Sequence, residues 1–271
     1  MNWFKTRRQA ERQNFYKGGF LMSTRLSKKQ MWIVAASFAV AICFGVAPAA
    51  NAMHIMEGYL PLGLCVLWGV IALPFVIWGF FSIRKIVQNN RRTMPLLAMA
   101  GAFIFVISSL KIPSVTGSCS HMTGTGLGAL LFGPAAVAVL GIIVLLFQAI
   151  LLAHGGLTTI GANCFSMAIA GPFVSYGLYK LGEKLHWNKK VNIFIACTIG
   201  DLFTYCVTSF QMAWAHHSNV GFAKAMVTNM AIYAATQVPL AIIEGLISVV
   251  IIIALENYAT DEMKSLGFVE A

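Results

Sequence analysis

Apolar runs long enough to cross a bilayer recur along this chain, parted by short polar stretches. A hydrocarbon core about 30 Å thick needs roughly 20 helical residues at about 1.5 Å each. After residue 52, hydropathy places helices over about 60–83, 95–110, 134–153, 158–181, 191–213 and 228–255. One more apolar segment, 124–132, stops at Gly133-Pro134 and is too short to span upright. Non-helical backbone at membrane depth is tolerated only inside protein or beside a watery cavity. The segment must therefore sit within the bundle, and the region 118–126 is expected to line a cavity that opens outward. The pattern predicts an all-α polytopic membrane bundle of about seven transmembrane helices.

Before residue 52 the pattern changes. Residues 1–30 carry Lys5, Arg7, Arg8, Arg12, Lys17, Arg25, Lys28 and Lys29, an apolar run follows over 31–46, and Ala-Pro-Ala-Ala-Asn-Ala ends at Ala52. This is the layout of a secretory signal peptide, with Ala50 and Ala52 as the small residues at the cut. An uncleaved signal anchor is the competing reading, and initiation at Met22 would give a shorter basic region. The chain divides into a basic extension with signal peptide, 1–52, and a transmembrane domain, 53–271. Cleavage would leave a mature start of Met53-His54-Ile55-Met56-Glu57-Gly58 with its free amine outside.

Composition agrees with a bilayer. Of 271 residues, 58% are hydrophobic and 10% are charged, against roughly 25% charged in soluble domains. The net charge of +10 would suggest a polyanion partner in a soluble protein. Here the cations mark topology, and no basic stripe with interleaved aromatics points to nucleic acid. With the mature N-terminus outside, the loops 84–92 and 180–190 are cytoplasmic and hold Arg84, Lys85, Arg91, Arg92, Lys180, Lys184, Lys189 and Lys190. The outer loops hold only Lys111 and Lys224, as the positive-inside rule requires. An odd number of spans puts the C-terminus in the cytoplasm. The six cysteines form no CxxC, and all but Cys119 lie in apolar runs, so they read as small buried hydrophobes. No P-loop occurs, so nucleotide hydrolysis would fall to another protein.

The candidate chemistry is metal binding. The amine of Met53, the backbone nitrogen of His54 and Nδ1 of its ring can reach one ion through fused chelate rings in one plane. Histidine at position two of a free terminus is what this requires, with a fourth nitrogen completing a tetragonal N₄ site. Such a site suits Cu(II) or Ni(II), and low-spin Co(II) can occupy it, whereas zinc prefers a tetrahedron. His121, after Ser118-Cys119-Ser120 on the same side of the membrane, is the best fourth ligand. Ser120 and His154 are candidates for a supporting or entry role, although a helix-end histidine such as His154 reads first as a cap. Glu57 is placed to orient the His54 ring by accepting its other N–H, and a contact at a helix start explains it equally. His216 and His217 read as interfacial beside Trp214, and His186 falls on the cytoplasmic side. Asp201 and Glu244 lie inside apolar helices, where a carboxyl is costly and implies a role or a partner.

Three stretches carry a family resemblance. They are Met53-His54-Ile55-Met56-Glu57-Gly58-Tyr59-Leu60-Pro61, the run from Gly117 through Ser118-Cys119-Ser120-His121-Met122 to Gly128, and Leu-Ala-His-Gly-Gly-Leu-Thr-Thr-Ile-Gly-Ala-Asn within 148–163. Together they resemble the CbiM/NikM family, the substrate-capture components of energy-coupling-factor cobalt and nickel transporters. The resemblance covers essentially the whole mature chain. It implies a seven-helix fold with the N-terminal segment threaded into the bundle, and metal ligation by Met53, His54 and His121. It implies Co²⁺ as transported ligand, because Met-Glu-Gly resembles the cobalt branch while nickel members tend toward Pro-Asp-Gly. No resident cofactor is implied. The implied partners are a small membrane subunit (CbiN-like), a transmembrane coupling subunit (CbiQ-like) and ATPase subunits (CbiO-like). Cobalt members of the family feed corrinoid (cobalamin) synthesis. The 30-residue basic extension departs from the family, and an uncleaved signal would leave no Met53 amine to bind metal.

The expected function is capture of Co²⁺ at the outer face of the cytoplasmic membrane for ATP-driven uptake, with no enzymatic step in this chain. Nickel is the nearest alternative. Two other classes stay open: a membrane metalloenzyme using His121, His154 and a carboxylate, for which no HExxH is present, and a stand-alone secondary transporter working through Asp201 and Glu244.

Overall fold

The computed structural model describes residues 51–52, 54–91, 93–113, 118–217 and 221–268. Met53 and residues 1–50 of the expected 1–52 leader lie outside the described residues, as do the side chains of Asn51, Ala52, Pro113, Ser118 and Cys119. Helices stand where the hydropathy places them. They are α1 (Leu62–Asn89), α2 (Thr93–Ser109), a short α3 (Thr125–Phe132) and α4 (Pro134–Leu152). Then come α5 (Ile160–Asn163), a π-helical stretch (Cys164–Ala170) and α6 (Gly171–Lys184), which run on as one rod. Helices α7 (Lys189–His216) and α8 (Phe222–Tyr258) follow, and a six-residue α9 (Thr260–Ser265) closes the described chain.

Four of these, α1, α4, α7 and α8, are long and apolar enough to cross a membrane, and α2 is a shorter apolar helix. Their outer surfaces are apolar: along α1, Leu62, Val66, Val70, Leu73, Ile77, Phe80 and Phe81 are exposed. Polar side chains turn inward instead, with Gln148, Asp201, Gln211, Gln237 and Glu244 all buried. That inversion of the soluble pattern fits a lipid solvent, where interior polar groups must find partners within the bundle.

Several expectations need adjusting. Helix α1 runs past the predicted end at 83 and carries Arg84 and Lys85 on its last turn and a half, because a solvated cationic helix end costs nothing to continue. The 111–121 stretch is not simply a polar loop. It contains β2 (Ile112–Pro113) and β3 (Ser118–Ser120), and β1 (Asn51–Ala52) joins them in a small sheet of order β1-β3-β2. The chain after α8 packs back on the bundle: Met263 is fully buried and the Phe268 ring stacks on Tyr179 with centroids 5.8 Å apart. Lys189 holds that tail through its ion pair with Glu256 and a 2.6 Å bond to the Phe268 carbonyl. The short α3 is enclosed as expected, with all eight of its residues buried. Cys65, Cys164, Cys197 and Cys206 are free thiols.

The 155–156 turn positions the N-terminal segment, and a small sheet whose β1 lies in the expected leader sets its register. Strand β1 pairs parallel to β3 with Asn51 opposite Ser118 and Ala52 opposite Cys119. Continuing that register by two residues brings His54 level with His121. On the other side, the 155–156 turn presses against the segment. A Cβ on Gly156 would lie 2.7 Å from both the Cα and the nitrogen of Glu57, so only glycine permits this approach.

Candidate metal centre

The segment after residue 53 is pinned by its backbone. Asn163, in α5, accepts the Ile55 N–H at 2.8 Å and donates its amide N–H to the Ile55 carbonyl at 3.0 Å. Thr159 donates to the same carbonyl at 2.6 Å. Ile55 and Leu60 bury their side chains with Cys65, Trp68 and Ala162. An extended segment inside a membrane bundle has no ladder of its own, so side chains from 159–163 satisfy it.

Three imidazoles then meet. His54 Nδ1 lies 2.9 Å from His121 Nε2 and 2.7 Å from His154 Nε2. The His54 and His121 rings stack at a centroid distance of 4.7 Å, and all three residues are at least 98% buried. Their ligand atoms all fall within 4.8 Å of one another, the one such cluster of histidine, cysteine or carboxylate among the described residues. With metal–nitrogen bonds of about 2.0 Å, adjacent nitrogens in a tetragonal site stand about 2.8 Å apart. The two short contacts match that spacing.

Partners on the far side of each ring set its tautomer. His121 Nδ1 lies 2.9 Å from the Met122 carbonyl, an acceptor only, so Nδ1 carries the proton and Nε2 presents a lone pair. His54 Nε2 faces the Met167 sulfur at 3.2 Å, also an acceptor, so Nδ1 presents the second lone pair. Two lone pairs 2.9 Å apart repel unless a cation lies between them. His154 differs. Its buried Nδ1 has no hydrogen-bond partner among the described residues, which suits a tautomer whose Nε2–H donates to His54 Nδ1. To become a ligand His154 would have to move its proton to Nδ1, where no acceptor waits.

Burial holds the rings neutral. Loss of hydration is the main cause, pushing His121 down to about 4 and His154 down to about 2. His54 falls well below the ordinary imidazole range, first through burial and then through His154 and His121. Neutral rings are what a metal requires. The sign for folding follows directly. Below pH about 6.5 the unfolded chain takes up ring protons that the folded chain refuses, so stability present above that pH is lost as acid is added. For His121 the loss should approach about 1.4 kcal/mol per pH unit between about 6.5 and 4. Thermal unfolding of metal-free protein in detergent should show a Tm that falls from pH 6.5 to 4.5, with a shallower fall in His121→Gln.

The other candidates separate from the cluster. Glu57 does not touch His54; its exposed carboxylate accepts from the backbone N–H and hydroxyl of Thr158, which hold its pKa below the usual carboxylate value. It fastens the segment to the 158–160 turn, the helix-start role rather than the ring-orienting one. Ser120 is buried and pairs with the Thr236 hydroxyl at 2.7 Å, one residue from the cluster. His154 caps α4 through its backbone N–H to the Gln148 carbonyl, as a helix-end histidine should, and its ring enters the cluster. His216 reaches the Tyr59 carbonyl at 2.8 Å and His217 the Trp214 carbonyl at 3.0 Å, both exposed. His186 lies in the exposed turn after α6. Asn163, Thr159 and Tyr205 also support the site, although the residue pattern does not single them out; for Asn163 and Tyr205 the available signal is a polar side chain within a membrane helix, itself a marker of function.

Comparison with known proteins shows the family. Residues 54–262 match the family model described as "Cobalt uptake substrate-specific transmembrane region". A "Cobalt transport protein CbiM" of Lachnoclostridium phytofermentans is 64% identical over 245 residues, covering 90% of this chain and 98% of the relative. Another of that description, from Chlorobium limicola, is 57% identical over 230 residues, covering 84% of this chain and 91% of the relative. Among solved structures, a "transition metal transporter" superposes with TM-score 0.66 at 26% identity, covering 78% of this chain and 96% of that one. A truncated transition metal transporter superposes with TM-score 0.65 at 27% identity over 76% of this chain. This chain is a multi-pass membrane protein that belongs to the CbiM family.

Proposed function

We propose that this chain captures Co²⁺ at the outer face of the cytoplasmic membrane and delivers it to ATP-driven uptake. The observation that carries this reading is the 2.9 Å approach of two buried ring nitrogens, His54 Nδ1 and His121 Nε2, each with an acceptor behind its other nitrogen. Relatives described as cobalt transport proteins support Co²⁺ as the cargo. In this reading the signal is removed after Ala52, and the freed Met53 amine and the His54 amide nitrogen complete the N₄ plane. Nitrogen donors alone exclude hydrated Mg²⁺ and Ca²⁺, which take oxygen ligands. Seven helical elements cross or enter the bilayer, counting α5, the π-helical stretch and α6 as one. The N-terminus then faces outside and the C-terminus the cytoplasm. ATP hydrolysis and inward release belong to a separate ATPase, a coupling subunit and a small membrane subunit, and the delivered cobalt serves cobalamin synthesis.

The test is to express the full chain in medium with equal cobalt and nickel, purify it, sequence its N-terminus and determine bound metal. A start at Met53 with about one cobalt per chain is expected. Nickel in that position would correct the cargo. A chain that keeps its leader and carries no metal would overturn the reading.

A further inference from the structure

The ligands are tied to different parts of the bundle. His54 is fastened through Ile55 and Glu57 to the 158–163 stretch. His121 is not. Its N–H donates to the Tyr205 hydroxyl at 3.2 Å, and that hydroxyl donates back to the His121 carbonyl at 2.8 Å. Gln237 donates to the same carbonyl at 3.3 Å and also to Asp201. Thr123 gives both its N–H, at 2.6 Å, and its hydroxyl, at 3.0 Å, to the carboxylate of Glu244. The Gly124 N–H is also directed at Glu244. With the bond from Ser120 to Thr236, these side-chain bonds to residues 120–124 come from α7 and α8.

Glu244 stands out within that set. It is fully buried in the middle of α8. Among the described residues the ion pairs are Lys180–Glu183 and Lys189–Glu256, so no cation neutralises it. A carboxyl at such depth is expensive and is retained for a purpose. Its partners identify the purpose. The short α3 begins at Gly124 with no side-chain cap and no acidic residue in its first turn. Glu244 supplies from a neighbouring helix the acceptor that this terminus lacks, and the same carboxylate fixes the backbone two residues after His121. Asp201 lies within hydrogen-bonding reach of Glu244 and of Gln237, which closes the network behind the ligand.

We propose that Glu244 is the positioning residue for the metal ligand His121, holding its ring nitrogen against His54 by clamping the Thr123 and Gly124 backbone to α8. The proposal rests on the metal-capture reading and adds to it. Helix α7 also touches the His54 side, through His216 to the Tyr59 carbonyl and Gln211 to the Ala162 carbonyl, whereas α8 holds residues 120–124 through Thr236, Gln237 and Glu244; a displacement of α8 therefore separates the two ligands and opens the cage. A partner subunit that shifts α8 would release the ion without touching it.

The test compares full-length wild type with E244A, E244Q and Tyr205→Phe, each loaded with Co²⁺ in detergent. Cobalt retention is titrated against a chelator, and the visible ligand-field spectrum and Tm are recorded. E244A should weaken binding by roughly 10- to 100-fold, the range for loss of a group that orients a ligand, and should move the ligand-field bands. E244Q, whose amide oxygen can still accept from Thr123, should recover part of both. If E244A does not fold, E244Q and Tyr205→Phe carry the test, since the tyrosine holds both ends of the His121 peptide. Variants with a lowered Tm but wild-type affinity and spectrum would make Glu244 a structural cap and overturn the proposal. Wild type that holds no Co²⁺ would fail the underlying reading instead, an outcome seen before any variant is compared.

Discussion

Replacing His54 by alanine should empty the site. The variant removes the one nitrogen that both other rings approach, leaving His121 Nε2 and His154 Nε2 without the atom that lies 2.9 and 2.7 Å from them. In the proposed cage it also removes the six-membered chelate ring, because the imidazole and the adjacent amide nitrogen belong to the same residue. A lost ligand should cost more than the 10- to 100-fold typical of a lost supporting group. Cobalt in the purified variant should therefore fall from about one per chain to near background. The fold should survive, since the Asn163 and Thr159 bonds are made to the backbone of Ile55 and do not involve the His54 ring. His121→Ala should show the same loss. His154→Ala should retain cobalt, because the far nitrogen of that ring lacks the acceptor that a ligand tautomer would need. Elemental analysis of the three variants purified side by side checks the ranking. A His154→Ala protein as empty as His54→Ala would move His154 into the coordination plane.

The second large effect should come from a residue that touches no metal. Asn163→Leu keeps the side-chain volume but removes both amide contacts to Ile55. The Ile55 carbonyl still has Thr159, whereas the buried N–H is left with no acceptor. An orphaned donor of this kind costs about 1–3 kcal/mol, which corresponds to roughly 5- to 150-fold in an equilibrium constant. The segment escapes that penalty by leaving the pocket, so the loss should appear as weaker cobalt binding and as protease sensitivity near residue 55. Asn163→Asp keeps the acceptor for the N–H and should recover most of the affinity. Chelator competition on the two variants measures both effects.

Much of this was legible from residue patterns because the bilayer makes strict demands. The long apolar helices follow from hydropathy alone, and the burial of α3 follows from its being too short to span. His54 and His121 could be paired because one follows a predicted cut and the other opens an outward loop. The structure then brings their rings into contact. What stayed hidden has physical reasons. A histidine just after a helix reads as a cap, and the His154 backbone does cap α4, so only the three-dimensional path of its ring reveals the second role. Glu57 lies three residues from His54, close enough in sequence to suggest a contact, yet the turn at Gly58 directs its carboxylate to Thr158. Strands of two or three residues carry no readable alternation, so β1, β2 and β3 left no trace in the pattern. The π-helical stretch Cys164–Ala170 has no residue signature, although it is what sets Met167 behind His54.

If one metal ion lies between His54 and His121, diffraction from cobalt-loaded, leader-cleaved protein, collected on both sides of the cobalt absorption edge, will locate it. One anomalous peak is expected about 2 Å from both His54 Nδ1 and His121 Nε2, with the Met53 amine and the His54 amide nitrogen completing the plane. A peak elsewhere in the bundle, or none between these two rings in protein shown to contain cobalt, would contradict that placement.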